Sequence, residues 1–342
     1  MTKKLRIGIA GAGLLGRLLA FTLARRGHAV DVHDPADGPQ TRGAAGWTAA
    51  GMLSPLAELE TGDERVFAWG MRSLELWPQV LRELNMPVEC RQDGSLLVAH
   101  REDAGAARRV LDLIARKAPG QHRAEPLAAD RLAALEPALR PGLNGWLLPG
   151  EGRIHTVQAM QALLAGAEGV RWHWDSRVET VEPHALRLPD RREPFDWVFD
   201  VRGLGARPQL PVRGVRGEIF WLQAPDLGLL RPVRLLHARH RVYVVPRAPD
   251  LVVVGASEIE SEDRSPVTVR TTVELLAAAH SILPALAEAR IVHSETNLRP
   301  ALPDNQPLLT TVPGMTRING LFRHGWLIAP ALVENALESS IC

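Results

Sequence analysis

The sequence predicts an α/β fold built from two interleaved parts, and three observations predict it. A strand, a glycine turn, a helix and a second strand follow one another within residues 5–34. Helix-then-strand patterns return over 151–211, and strand-like runs with a single helical stretch fill 212–299. Alternating strands and helices imply a parallel sheet covered by helices, whereas successive strands imply a mixed, mainly antiparallel sheet. At roughly 150 residues per domain, the 342-residue chain should hold two domains. The expected division is 1–84, 151–211 and 302–342 for the first, and 85–150 with 212–301 for the second.

The elements follow from local pattern. Residues 5–10 are an apolar run, 11–16 a glycine turn, and Leu14, Leu15, Leu18, Leu19 and Leu23 recur at near-helical spacing. Arg25 and Arg26 suit a helix C-terminus, and Gly27 suits the left-handed position after it. Residues 29–33 alternate as a second strand that ends at Asp34. The Gly-, Ala-, Ser- and Thr-rich stretch 41–55 reads as loop, and 63–85 as helix. Further strands are expected over 94–99, 170–174, 177–181, 197–201, 218–222, 241–245 and 251–254. Helices are expected over 156–167, 269–283 and 327–338.

Composition narrows the function classes. Hydrophobic residues at 46% and charged residues at 23% are ordinary globular values and argue against disorder. A net charge of +1 gives no global reason to seek nucleic acid or an anionic membrane. Cys90 and Cys342 are too few and too far apart to suggest a disulfide framework, so a cytoplasmic location is expected. Lys3 and Lys4 before an apolar stretch mimic a secretory signal, but Arg17 interrupts the run and its glycine spacing has a better explanation. No Cys/His spacing suggests a metal.

That explanation is the pattern Gly11-Ala12-Gly13-Leu14-Leu15-Gly16. The first glycine permits the tight turn, the second lets the backbone approach a pyrophosphate, and the third lets the helix pack on the strand. The phosphates would then sit at the positive helix N-terminus. Asp34, 18 residues beyond Gly16 at the end of the next strand, is placed for a ribose hydroxyl pair, with Pro35 beside it. This is a Rossmann-like dinucleotide site, and glycine spacing alone does not choose between FAD and NAD.

Other blocks choose. The segment Gly46-Trp47-Thr48-Ala49-Ala50-Gly51-Met52-Leu53-Ser54-Pro55 is followed, in order, by Tyr243-Val244-Val245-Pro246-Arg247, Val254-Gly255-Ala256, Asn297-Leu298-Arg299-Pro300 and Leu321-Phe322-Arg323-His324-Gly325-Trp326-Leu327. These blocks resemble the D-amino-acid oxidase superfamily, nearest to the glycine oxidases of thiamine biosynthesis. The resemblance spans nearly the whole chain. It implies a Rossmann-like FAD-binding domain interleaved with a substrate domain, noncovalent FAD, and oxidation of a small amine or amino acid with dioxygen as acceptor. It also implies that Val178 contacts the adenine through its backbone and that Gly203 belongs to the cofactor site. Phe322, Arg323, His324, Gly325, Trp326 and Leu327 would border the flavin. Relatives tend to associate, so a homo-oligomer is one of the open states.

Each block also has a physical reading. Ala50 and Gly51 would let backbone amides approach the flat ring, with Met52 packing against it; otherwise the segment is an ordinary small-residue loop. Arg299 is the foremost substrate candidate, because a planar guanidinium can hold an amino-acid carboxylate in two bonds. Its alternative is a structural salt bridge. Tyr243, the only tyrosine in the chain, could hydrogen-bond the same carboxylate, and Arg323 could be a second contact. Hydride transfer needs no catalytic side chain, so His237, His293 and His324 are expected only as surface or lining residues. Asn297, Ala301, Leu321 and His324 depart from the usual glycine oxidase motifs, which points to an altered pocket. A dehydrogenase using a quinone or carrier, a flavin enzyme acting on a tRNA group and a non-catalytic flavin protein are the rival readings.

Overall fold

The computed structural model describes residues 4–237 and 241–341. Lys3 and Cys342, which entered the reading of localisation, lie outside the described residues.

The N-terminal pattern folds as expected. Strand Arg6–Ala10 leads through the glycine turn into helix Leu14–Arg25, and the chain returns as strand Ala29–His33. Gly27 takes a positive φ of 85° just beyond the helix, where a side chain would be strained. Arg6–Ala10 lies at the centre of a six-stranded sheet between Ala29–His33 and Trp197–Asp200, parallel to both. Arg171–His173 and Met315–Asn319 extend it in parallel, and Leu308–Val312 closes one edge antiparallel. Helices Leu14–Arg25, Thr156–Gly166 and Gly325–Glu338 bury Leu18, Leu19, Leu163, Leu332 and Leu337 in one core with Ile7, Ile9 and Val32.

A second sheet has eight strands in the order Arg290–Ala301, Arg213–Gln223, Leu251–Gly255, Arg241–Arg247, Val233–Leu236, Ser95–Ala99, Asn144–Leu148 and Glu125–Leu127. Every neighbouring pair is antiparallel except Val233–Leu236 with Ser95–Ala99. Helix Val269–Ile282 covers one face of this sheet and shares its core with Val233, Val244 and Val254. The opposite face carries the site.

Three expectations change. The stretch read as loop contains short elements, Ala45–Thr48, Met52–Leu53 and Pro55–Glu58, because Met52–Leu53 pairs with Gly152–Ile154 from far along the chain. The strand expected over 177–181 begins only at Thr180 and runs to Glu182, so Val178 precedes it. The last helix starts at Gly325 rather than at 327, and Pro330 lies within its first two turns. Among the described residues no helix is long and apolar enough to cross a membrane.

Candidate active site

One cavity of about 870 Å³ runs from the glycine turn, past the small-residue loop, to the face of the eight-stranded sheet. Its wall includes Gly11, Gly13, Leu14, Leu15, Asp34, Pro35, Ala50, Gly51, Met52, Val178 and Gly203. Further along it includes Tyr243, Arg299, Phe322, Arg323, Gly325, Trp326 and Leu327. Of the expected site residues, only Gly16 and His324 lie outside this wall.

At the nucleotide end each glycine has its own reason. Gly11 has φ of 107°, and a Cβ there would lie 2.7 Å from the Val201 carbonyl oxygen. A Cβ on Gly16 would lie 1.8 Å from the Gly11 carbonyl oxygen, so Gly16 acts by letting the helix close on the turn rather than by facing the cavity. Gly13 differs: its Cβ would meet nothing nearer than Ala44 at 3.6 Å, leaving its backbone open for close approach. The Asp34 carboxylate accepts from the amides of Ala12 (2.6 Å) and Ala36 (2.9 Å), which fixes its orientation beside the turn. Val178 presents its carbonyl to the Arg202 guanidinium (3.1 Å), itself paired in two bonds with Asp200.

Arg17, read from sequence only as a break in an apolar run, is buried behind the turn. It donates to the carbonyls of Ala12, Met160 and Pro39 and lies over the Trp47 ring at 4.9 Å. Burial lowers its pKa to about 10, partly opposed by Asp34. The cation therefore ties the turn to Thr156–Gly166 and to the loop after Asp34 in one stroke.

The middle of the cavity is formed by backbone. Gly51 has φ of 67°, and a Cβ there would fall 2.1 Å from the Ile154 carbonyl oxygen. Arg247, fully buried and lowered to about 10 by desolvation, donates to the carbonyls of Ala50, Ile154 and Pro246. It pins the small-residue loop against the second sheet. Across from it the helix Gly325–Glu338 begins, held by a bond from the Trp326 indole to the Gly46 carbonyl (2.9 Å). These contacts put a helix N-terminus in the cavity wall, which suits a flat ring that gains negative charge on reduction.

The far end is polar. The pairings Arg234 with Tyr243, Tyr243 with Gly255, Gly255 with Ile219 and Ile219 with Glu295 place these residues on one sheet face, and Arg299, four positions beyond Glu295, shares it. Glycines clear the space between them. A Cβ on Gly217 would meet the Arg299 guanidinium at 2.6 Å, and one on Gly255 would meet the Tyr243 hydroxyl at 2.7 Å. Arg299 donates through Nη1 to the carbonyls of Ser257 (3.0 Å) and Arg216 (3.3 Å) and has no carboxylate in salt-bridge range among the described residues. Burial lowers its pKa, with the Tyr243 hydroxyl opposing. Burial also raises the pKa of Tyr243 against the pull of Arg299, Arg323 and Arg234, keeping the phenol protonated.

Sequence reasoning missed Glu58 and Arg234. Glu58 is buried at the end of Pro55–Glu58, with Arg234 Nη2 at 2.9 Å, Arg323 Nε at 3.0 Å and His324 Nδ1 at 3.1 Å. Although desolvation alone would raise it, Arg323 and Arg234 hold this carboxyl well below its ordinary value. Two expectations are corrected here. His324 is neither surface nor lining but is buried against Glu58, because the turn before the last helix points it inward. The Arg323 side chain is already engaged by Glu58, with Glu258 at 3.4 Å. A cation within an apolar run, as in Val233-Arg234-Leu235-Leu236, was the one signal that could have singled out Arg234. Cys90 lies outside the cavity wall, its thiol pushed up to about 11 by burial. No cluster of three metal-ligating side chains occurs among the described residues.

The chain is similar to known proteins along nearly its whole length. The DAO pattern, described as FAD dependent oxidoreductase, matches residues 6–334. A Rhizobium etli protein, named provisionally as the thiamine biosynthesis oxidoreductase ThiO, is 37% identical over 330 residues, covering 96% of this chain and 94% of its own. A glycine oxidase from Geobacillus kaustophilus is 26% identical over 355 residues, covering 96% and 91%. The crystal structure of glycine oxidase from that organism superposes with a TM-score of 0.85 over 99% of this chain and 96% of its own. The positive-φ turn, the unobstructed Gly13 and the helix N-terminus in the cavity wall are what an FAD would need, and the chain belongs to the DAO family of FAD-dependent oxidoreductases.

Proposed function

We propose that the protein oxidises a small amine or amino acid, glycine being the first to try, with dioxygen as final acceptor. One observation carries the reading: half-buried Arg299, without a carboxylate partner among the described residues, shares a sheet face with Tyr243 at the end of a cavity that begins at the glycine turn and Asp34. The names of the Rhizobium and Geobacillus relatives support the same chemistry. On this reading Arg299 binds the substrate carboxylate through the N–H groups its two carbonyl partners leave over, and the Tyr243 hydroxyl donates to the same group. Glu58 keeps Arg323 and Arg234 in place, and the buried walls exclude water from the α-carbon. FAD, if bound along the cavity wall, would supply a two-electron acceptor for hydride from the α-carbon; water would then hydrolyse the imine to a 2-oxo acid and ammonia, and dioxygen would take up the two electrons as hydrogen peroxide. That imine is also what a thiazole-forming step of thiamine synthesis would consume.

The cofactor roles given above to the cavity-wall residues belong to this reading, as do noncovalent binding, the division into two interleaved domains and a cytoplasmic setting. The test is anaerobic mixing of the yellow protein with glycine, N-methylglycine and small D-amino acids. Bleaching of the flavin band is expected, with peroxide released on admitting air. Bleaching without peroxide would transfer the reading to a dehydrogenase, and no bleaching by any amine would end it.

A further inference from the structure

Arg234 has more hydrogen-bonding capacity than the protein uses. It is one of three arginines on the cavity wall at the sheet face, and its side chain is about nine-tenths buried. Its Nη2 bonds Glu58 Oε1 at 2.9 Å and lies 4.0 Å from the Met52 sulfur, but Nε and Nη1 are buried with no partner among the described residues. Nearby acids do not answer for them. Glu58 is shared with Arg323 and His324, and Glu151 commits its two oxygens to the Ala57 amide and the Ser95 hydroxyl. Buried guanidinium N–H groups left open are costly, and Nη1, beside the Glu58-bound Nη2, is free to donate to an anionic oxygen entering from the cavity. Arg299 sits on the same face four strands away, with Tyr243 and the two glycine gaps between. At about 4.8 Å per strand and 3.3 Å per residue along it, four strands and four residues separate the two backbones by roughly 23 Å, and the Arg299 guanidinium lies over Gly217 on the neighbouring strand. The floor thus has a cation at each end, with the Tyr243 hydroxyl over Gly255 between them.

We infer that Arg234 receives a second carboxylate, so that the substrate is an amine bearing two: an amino acid with an acidic side group, or an N-carboxymethyl amino acid. The inference rests on the oxidase reading for the reaction but not for the binding. Arg299 takes the carboxylate next to the reacting carbon and Arg234 the distal one. Specificity follows because a monocarboxylate would leave the Arg234 N–H groups buried and unpaired.

The test uses pairs that differ by one carboxylate: D-aspartate with D-alanine, D-glutamate with D-2-aminobutyrate, and N-carboxymethylglycine with N-methylglycine. In the holoenzyme at least one diacid should exceed its partner tenfold or more in kcat/KM. Arg234→Gln should reduce that ratio at least tenfold, and Arg234→Lys should restore part of it. Calorimetric titration of the holoenzyme with succinate and with butyrate reads binding without turnover. Succinate should bind more tightly, and Arg234→Gln should abolish the difference. Equal values within every pair in the unaltered protein, or an Arg234→Gln loss shared equally by both members, would overturn the inference. If no compound bleaches the flavin, the oxidase reading fails while the succinate titration still decides the role of Arg234. Should Arg234→Gln not fold, the ratios of the unaltered protein and of Arg234→Lys decide it.

Discussion

Arg299 and Glu58 show how the same chemistry, a charge on the cavity wall, serves opposite ends. Glu58 is surrounded by its compensation, whereas Arg299 bonds two carbonyl oxygens, has no carboxylate in range among the described residues and is left for a ligand. Replacing Arg299 by Met should therefore raise KM for an amino acid by on the order of 10²–10³, since losing one side of a buried charge pair costs about 2–5 kcal/mol. Steady-state kinetics checks this, and the yellow colour should persist. Glu58→Gln should instead destabilise the fold by about 3–5 kcal/mol, because Arg234 and Arg323 would stay buried without their counter-charge. Its pH signature follows from the direction of the shift. A carboxyl held below its unfolded value contributes its full stability above the ordinary carboxylate range and loses it as pH falls toward the depressed folded value. Melting curves should show the parent losing stability below about pH 4, and the Gln variant should lack that part of the acid limb.

At the scale of elements, the strand-turn-helix unit separates packing from binding. Gly16→Ala would push the helix Leu14–Arg25 off its turn, because the new Cβ overlaps the Gly11 carbonyl. The expected loss is about 1–3 kcal/mol or more, together with loss of flavin. Gly13→Ala meets no such obstacle, so the apoprotein should melt close to the parent while FAD binds far more weakly. A flavin fluorescence titration beside a melt of each apoprotein distinguishes the two. Most of these elements were legible because apolar periodicity and glycine punctuation act locally: the helix over 63–85 is Glu64–Arg82, and that over 269–283 is Val269–Ile282. Met52–Leu53 was not, since a two-residue strand exists only through its pairing with Gly152–Ile154, a hundred residues away. The delayed strand Thr180–Glu182 was missed for a related reason: Val178 gives its carbonyl to Arg202, and that partner is chosen by the fold.

For the whole molecule, one core lies beneath the six-stranded sheet and another against the eight-stranded sheet, and the cavity takes wall residues from both sheets. A cofactor that binds only the assembled protein stabilises both. Free FAD at a thousand times its Kd should add about 4 kcal/mol, read as a rise in Tm with FAD concentration; a Tm insensitive to FAD would contradict the assigned site. With a formal net charge of +1, no long-range field recruits the substrate, and recognition falls to the buried cations.

The sequence by itself determined the glycine turn, the acid that follows it, the family blocks and Arg299, because each is a short-range pattern whose chemistry requires particular residues at particular spacing. Only the tertiary structure decided that Arg17 and Arg247 brace backbone carbonyls, that His324 turns inward, and that Glu58 joins Arg234 and Arg323. The physical reason is that the role of a charge depends on what lies within about 4 Å of it. For Arg234, those neighbours come from segments 176 and more residues distant in the chain.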